Sequence, residues 1–192
     1  FDDGPDPVST PRIMEVLAAH RVRATFFVLG AMLARAPWLA TRLTEAGHEL
    51  GVHGWDHHAL PLLGPRRTYR GLARTRDLVG TLTGRRPVWF RPPYGVLTPA
   101  ALVAAGRLGL TPVLWTAWGR DWTAGATADS VLAQLRRRLA DGGTVLLHDS
   151  DHAAAPGCWW ATLGALPRLL DECARRGWRV GPLDSHLDPA GR

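Results

Sequence analysis

Lysine is missing from this chain: all 23 basic residues among its 192 are arginine. Against 17 acidic residues they leave a formal charge of +6 and a pI of about 10.8. A biased codon supply accounts for an arginine-only composition more simply than selection for a basic partner. The arginines are also dispersed, with Arg66-Arg67, Arg85-Arg86, Arg136-Arg137-Arg138 and Arg175-Arg176 in separate expected helices or turns. A nucleic-acid-binding protein concentrates such residues on one face, so nucleic acid is not the expected partner. Cysteine is scarce, and one potential pair, Cys158 with Cys173, says nothing about compartment. No apolar run approaches the length of a membrane span. No signal peptide is visible, and the chain opens on Phe1 directly before a motif. The expectation is therefore that natural N-terminal sequence is missing. A secreted or cell-envelope location is compatible with these residues but not fixed by them.

The length suits one domain, residues 1–192, with a substantial core, and a monomer is expected. Hydrophobic residues make up 46%, and 21 Gly and 15 Pro supply many turns. Short apolar runs alternate with helical patterns along the whole chain. Strands are expected at 24–29, 48–52, 87–90, 111–116, 144–147 and 178–183. Helices are expected from Thr10-Pro11 onward, where Thr10 would cap, and over 31–46, 66–83, 97–108, 128–140 and 160–176. Strand–helix alternation without a repeat or linker is the signature of parallel α/β architecture.

Ionisable residues recur where those strands end. Asp2-Asp3 precedes a Gly-Pro turn; His53, Arg91, Asp121 and His148 each follow a run of strand character. The carboxyl ends of parallel strands converge on the active site, so a site is expected there. Adjacent residues at a strand end point in different directions, which lets one carboxylate of the Asp2-Asp3 pair bind a metal while the other faces substrate. His53 and His57 lie four apart, a spacing that shares a metal if the stretch is a helical turn. With a strand-end aspartate they make a two-His-one-carboxylate set, suited to zinc or another divalent transition metal. His58 beside them reads as solvated. Non-haem iron oxygenases use the same set, but hydrolysis also needs a base and an acid. The second carboxylate of the pair supplies the base and His148 the acid. Asp121 would hold that imidazole and raise its pKa, and Arg91 would keep the base ionised. Hydrolysis is favoured.

Five short motifs then resemble, in order, those of the NodB-homology polysaccharide deacetylases, carbohydrate esterase family 4. They are FDDGP (Phe1–Pro5), His53 to His57, RPPYG (Arg91–Gly95), Asp121-Trp122, and Leu146-Leu147-His148. The resemblance implies a distorted seven-stranded (β/α) barrel, its first strand truncated in this chain. It implies one divalent metal, most often Zn2+, and hydrolysis of N-acetyl groups on an amino-sugar polymer or glycoconjugate. Carried over residue by residue, Asp2 is the base and Asp3, His53 and His57 are the metal ligands. Arg91 orients Asp2, and His148 is the acid, tuned by Asp121. The Tyr94 N–H joins the metal at the oxyanion, and Trp122 and Leu146 form the pocket for the acetyl methyl. Two positions depart from the pattern. Gly54 stands where Ser or Thr is common, removing a loop-fixing hydrogen bond, and Trp118 stands where an earlier Asp is usual. Asp149 and Asp151 are expected to cap the loop that follows. Exposed Trp55 and Trp118 would favour a sugar over another amide such as a cyclic ureide. A silent carbohydrate-binding domain would carry a substituted ligand or base, and none is substituted.

Overall fold

The computed structural model describes residues 1–186. Strands β1 (Thr25–Val28), β2 (Glu49–Val52), β3 (Trp89–Phe90) and β4 (Thr111–Pro112) form one parallel sheet in that spatial order. Strands β5 (Ala117–Trp118) and β6 (Val145–Leu146) form a second parallel pair. Asp2 joins the two sheets, bridging in parallel to Phe27 on one side and His148 on the other. The backbone bonds agree: Phe1 O accepts from Phe27 N at 2.7 Å and Leu147 O from Asp2 N at 3.0 Å. The first two residues thus occupy the strand position that the sequence led us to expect to be truncated. The spatial order becomes β5, β6, the Asp2 bridge, β1, β2, β3, β4, a strongly curved α/β wall.

Helices α1 (Ser9–Ala19), α2 (Gly30–Arg35), α3 (Trp38–Glu45), α4 (Pro65–Thr83), α5 (Pro99–Leu108), α6 (Ala128–Arg136) and α7 (Trp159–Arg175) pack on the outside. Strand β1 is buried throughout, as expected for a parallel strand covered on both faces. Phe26 and Val28 join the large cluster built with α1, α6 and α7, while Phe27 packs inward with Trp89. Truncating either phenylalanine to alanine would cost about 3–5 kcal/mol through lost burial and the cavity left behind.

Several elements differ from the sequence reading. The expected helix 31–46 is two helices, because Pro37 lacks an N–H and disfavours helical backbone at Ala36. Thr10 lies inside α1 instead of capping it; Asp6 accepts from the N–H groups of Val8 and Ser9 and caps in its place. The expected strand 111–116 is short, and β5 follows it as a separate strand pairing with β6. Residues 178–182 form no strand. After α7 the chain turns at Gly177, Trp178 N donates back to Cys173 O at 3.0 Å, and Leu183 N–H donates to Thr25 Oγ1 at 2.9 Å. Cys158 and Cys173 are both free and buried. They stand at the two ends of α7, where ~1.5 Å of rise per residue places them far beyond disulfide reach.

Candidate active site

The irregular segments after β2, β3, β5 and β6 meet the Asp2-Asp3 turn at one end of the strands. A cavity of about 210 Å³ at the other end, beneath Phe1 and lined by Thr25, Thr144 and Leu166, involves only Arg91 among the site residues. Three non-glycine residues of the site have left-handed backbone: Asp3 at φ 75°, Tyr94 at 59° and Arg120, beside Asp121, at 53°. Such strain persists where surrounding structure over-determines it, and it clusters at functional sites.

The two carboxylates of the pair are divided between different partners. Asp2 is buried, and its Oδ1 accepts from Arg91 Nη1 at 2.9 Å. Arg91 is itself buried; it also donates to Leu114 O at 3.2 Å and lies over the Phe27 ring. Burial pushes the Asp2 carboxyl up, but the Arg91 guanidinium together with the charges of His53, the terminal amine and His148 outweighs that and holds it below the usual range, so Asp2 is ionised. Asp3 faces the other way. Its Oδ1 lies 3.2 Å from Nε2 of His53 and 3.2 Å from Nε2 of His57, and has no conventional hydrogen-bond partner although buried. Burial raises the Asp3 carboxyl, but the close contact with His53 and the surrounding imidazoles prevail and hold it at about 2.

His53 Nδ1 bonds to Arg91 O at 2.8 Å, which leaves Nε2 free to present a lone pair. His57 is kept neutral by burial, its pKa lowered to about 4. The His53–His57 stretch is an open loop and not a helical turn, with Gly54 at φ 107°. The two rings converge nonetheless, their centroids 5.1 Å apart. Asp3, His53 and His57 each offer one ligand atom, all within 4.8 Å of one another. Two ligand atoms each ~2.1 Å from a tetrahedral ion lie roughly 3.4 Å apart, close to the spacing found. A buried carboxylate oxygen, otherwise orphaned, and two imidazole nitrogens suit a divalent cation.

The third group is His148 with Asp121. Asp121 is fully buried, and its Oδ1 accepts from His148 Nδ1 at 3.0 Å. Its Oδ2 accepts from His148 N at 2.7 Å and from Thr162 Oγ1 at 2.6 Å. Burial lowers the His148 pKa, but the Asp121 charge and hydrogen bond, with Asp3 and Asp2 beyond, reverse this and raise it to about 9. His148 is thus held as an imidazolium at neutral pH. Trp122 packs edge-on against this ring at 5.4 Å. Leu146 is buried and, by strand alternation, lies on the face opposite Leu147, which belongs to the large outer cluster. Tyr94 is 60% exposed, its ring edge-on to His57 at 4.4 Å, and its N–H donates to no other group among the described residues.

Neither expected sugar platform is free. Trp55 lies against the Gly30 backbone with Arg74 stacked 3.3 Å from its centroid, and half-buried Trp118 lies under Arg138. Tyr94 is the exposed aromatic beside the ligands instead. His58 is exposed as expected and pairs with Asp56. Asp151 caps its loop through Gly157 N, whereas buried Asp149 accepts from Thr10 Oγ1 and presses against Gly4. Sequence reasoning did not find Thr162 or the Leu114 carbonyl, because neither carries a pattern of its own; each acts through a contact distant in sequence, as does Thr10 in its bond to Asp149.

Fold and cluster together define a class: parallel α/β proteins whose strand ends carry an Asp-His-His cluster suited to a divalent cation, beside a buried Asp-Arg pair and a buried His-Asp pair. The chain belongs to the polysaccharide deacetylase family, which its residues 1–113 match. It is 35% identical over 193 residues to a chitooligosaccharide deacetylase of Bradyrhizobium sp. (strain ANU 289), covering 95% of this chain and 86% of that one. It is 38% identical over 152 residues to a peptidoglycan-N-acetylglucosamine deacetylase of Listeria monocytogenes, covering 78% of this chain but 31% of that longer protein. Among solved structures, the family 4 carbohydrate esterase of Streptomyces lividans in complex with acetate superposes with a TM-score of 0.85 at 30% identity, covering 99% and 91% of the two chains.

Proposed function

We propose that this chain removes N-acetyl groups from N-acetylglucosamine units of a polymer of the chitin or peptidoglycan type. The observation that carries the reading is the division of the adjacent carboxylates, Asp2 claimed by Arg91 and Asp3 by two imidazole nitrogens. Asp3, His53 and His57 would hold the ion, and zinc suits their donor set. When bound, such an ion polarises the acetyl carbonyl and acidifies water. Asp2, ionised and oriented by Arg91, takes a proton from the water that attacks the amide carbon. The Tyr94 N–H donates to the oxygen on which negative charge develops. As the C–N bond breaks, His148 gives its Nε2 proton to the departing nitrogen, leaving acetate and a free amine. Trp122 and Leu146 wall the acetyl methyl and keep water away from it.

Membership in a deacetylase family supports the reaction, and the relatives' substrates support the sugar. The test is acetate release from N-acetylglucosamine oligomers and from peptidoglycan, with a small cyclic ureide alongside. Release from either polymer supports the proposal. Turnover of the ureide alone would redirect it to another amide, and no turnover by the metal-loaded protein would leave a silent carbohydrate-binding domain.

A further inference from the structure

The two imidazoles of the Asp-His-His set are supported unequally. His53 has its Nδ1 bonded to Arg91 O and its own N–H to Val28 O, whereas His57 Nδ1 is buried without a partner among the described residues. A metal-ligating imidazole is ordinarily oriented by a bond at its other nitrogen. His57 lacks that bond, so its placement depends on the backbone between it and His53. That backbone is pinned from two sides. Gly54 O accepts from Gly30 N at 3.0 Å and from Thr75 Oγ1 at 2.8 Å, and Trp55 O accepts from Ala31 N at 2.8 Å.

Thr75 behaves unlike other threonines of its own helix. Thr68 and Thr83 of α4 return their hydroxyls to the carbonyl four residues back, Gly64 O and Val79 O, the habit of mid-helix threonine. Thr75, fully buried at the same helix's inner face, reaches off the helix to Gly54 O instead. The surroundings are shaped for this contact: a Cβ on Gly30 would come within 2.4 Å of Thr75 Oγ1 and of the Trp55 ring. Gly54 at φ 107° cannot readily accept the Ser or Thr whose side chain would otherwise fix the loop. The loop-fixing hydrogen bond therefore comes from a neighbouring helix.

We infer that Thr75 is a positioning residue for the metal loop, its hydroxyl holding the Gly54 carbonyl so that His57 is set at the spacing a divalent ion requires. This rests on the metal reading of Asp3, His53 and His57. The experiment measures Zn2+ affinity by competition with a chromophoric chelator in wild type, Thr75→Val, Thr75→Ser and Thr68→Val. Loss of a supporting bond around ligands weakens metal binding by roughly 10-fold or more. Thr75→Val should therefore bind Zn2+ about 10-fold more weakly. Thr75→Ser, which keeps the hydroxyl, and Thr68→Val, which loses a buried hydroxyl elsewhere on α4, should stay near wild type. If Thr75→Val does not fold, Thr75→Ala against Thr75→Ser carries the same comparison, with alanine the weaker binder. Equal affinity in the folded variants, or equal weakening in Thr68→Val, overturns the role of Thr75. Failure of wild type to bind Zn2+, Co2+ or Mn2+ would instead overturn the metal reading itself.

Discussion

Replacing Asp121 by asparagine tests the electrostatics of His148, the proposed proton donor. Burial alone would push the His148 imidazolium towards deprotonation; the Asp121 charge and hydrogen bond reverse this and hold its pKa at about 9 against an ordinary 6.5. At ~1.4 kcal/mol per pKa unit, that difference is about 3 kcal/mol in favour of the charged, folded form. Because the folded-state value is the raised one, this stability is fully present below pH 6.5 and is lost as pH rises through about 9. In Asp121→Asn the amide oxygen takes the Oδ2 position, where His148 N and Thr162 Oγ1 both donate. The amide NH2 then faces His148 Nδ1 and makes that nitrogen an acceptor, so the imidazole is neutral. Histidine NMR titration of the metal-free protein, with His148→Gln for assignment, should give a midpoint near 9 in wild type and below 6.5 in Asp121→Asn. Denaturant unfolding should show wild-type stability falling across that interval and a flatter profile in the variant. Acetate release should drop by roughly 10²- to 10⁴-fold, the usual contribution of a positioned acid. A wild-type midpoint at or below 6.5, or a variant that titrates like wild type, would refute the reasoning.

Two further outcomes follow from the same geometry. Zn2+ at ~100-fold its dissociation constant stabilises a folded site by about 2.7 kcal/mol, so Zn2+ addition to chelator-treated protein should raise Tm by roughly 5–10 °C. Thermal scanning checks this, and His53→Ala should abolish the rise. Thr162→Val removes one of three donors to Asp121, two of which remain in His148. It should cost about 1–2 kcal/mol of stability and lower the His148 titration midpoint less than Asp121→Asn does.

Much of the site was legible because its groups sit at strand ends, which the alternation of apolar runs and helical patterns locates without knowledge of contacts. Asp2, Asp3, His53, His57, Arg91, Asp121 and His148 come together as that alternation implies. Where the reading failed, the cause was either a local backbone constraint or a contact distant in sequence. Residues 178–182 have strand character but form no ladder, and Pro37 divides a helix whose apolar stripe continues across it. The His53–His57 spacing suggested a helical turn, yet a glycine at positive φ and carbonyl bonds to α2 and α4 bring the rings together by another route. Thr162 and Thr75 carry no motif. Their roles exist only because helices far away in sequence lay a hydroxyl against Asp121 and Gly54. Trp55 and Trp118 looked like sugar platforms in the sequence, and stacked arginines cover both.

The division of labour between the adjacent aspartates is tested most directly by measuring bound metal and acetate release on the same preparations of wild type, Asp2→Asn and His53→Ala, with N-acetylglucosamine oligomers as substrate. The account predicts one ion per chain and acetate release in wild type. It predicts retained metal with release reduced at least ~10²-fold in Asp2→Asn, and loss of both in His53→Ala. Metal lost in Asp2→Asn, or acetate released at the wild-type rate without Asp2, would contradict the assignment of one carboxylate to the ion and the other to the water.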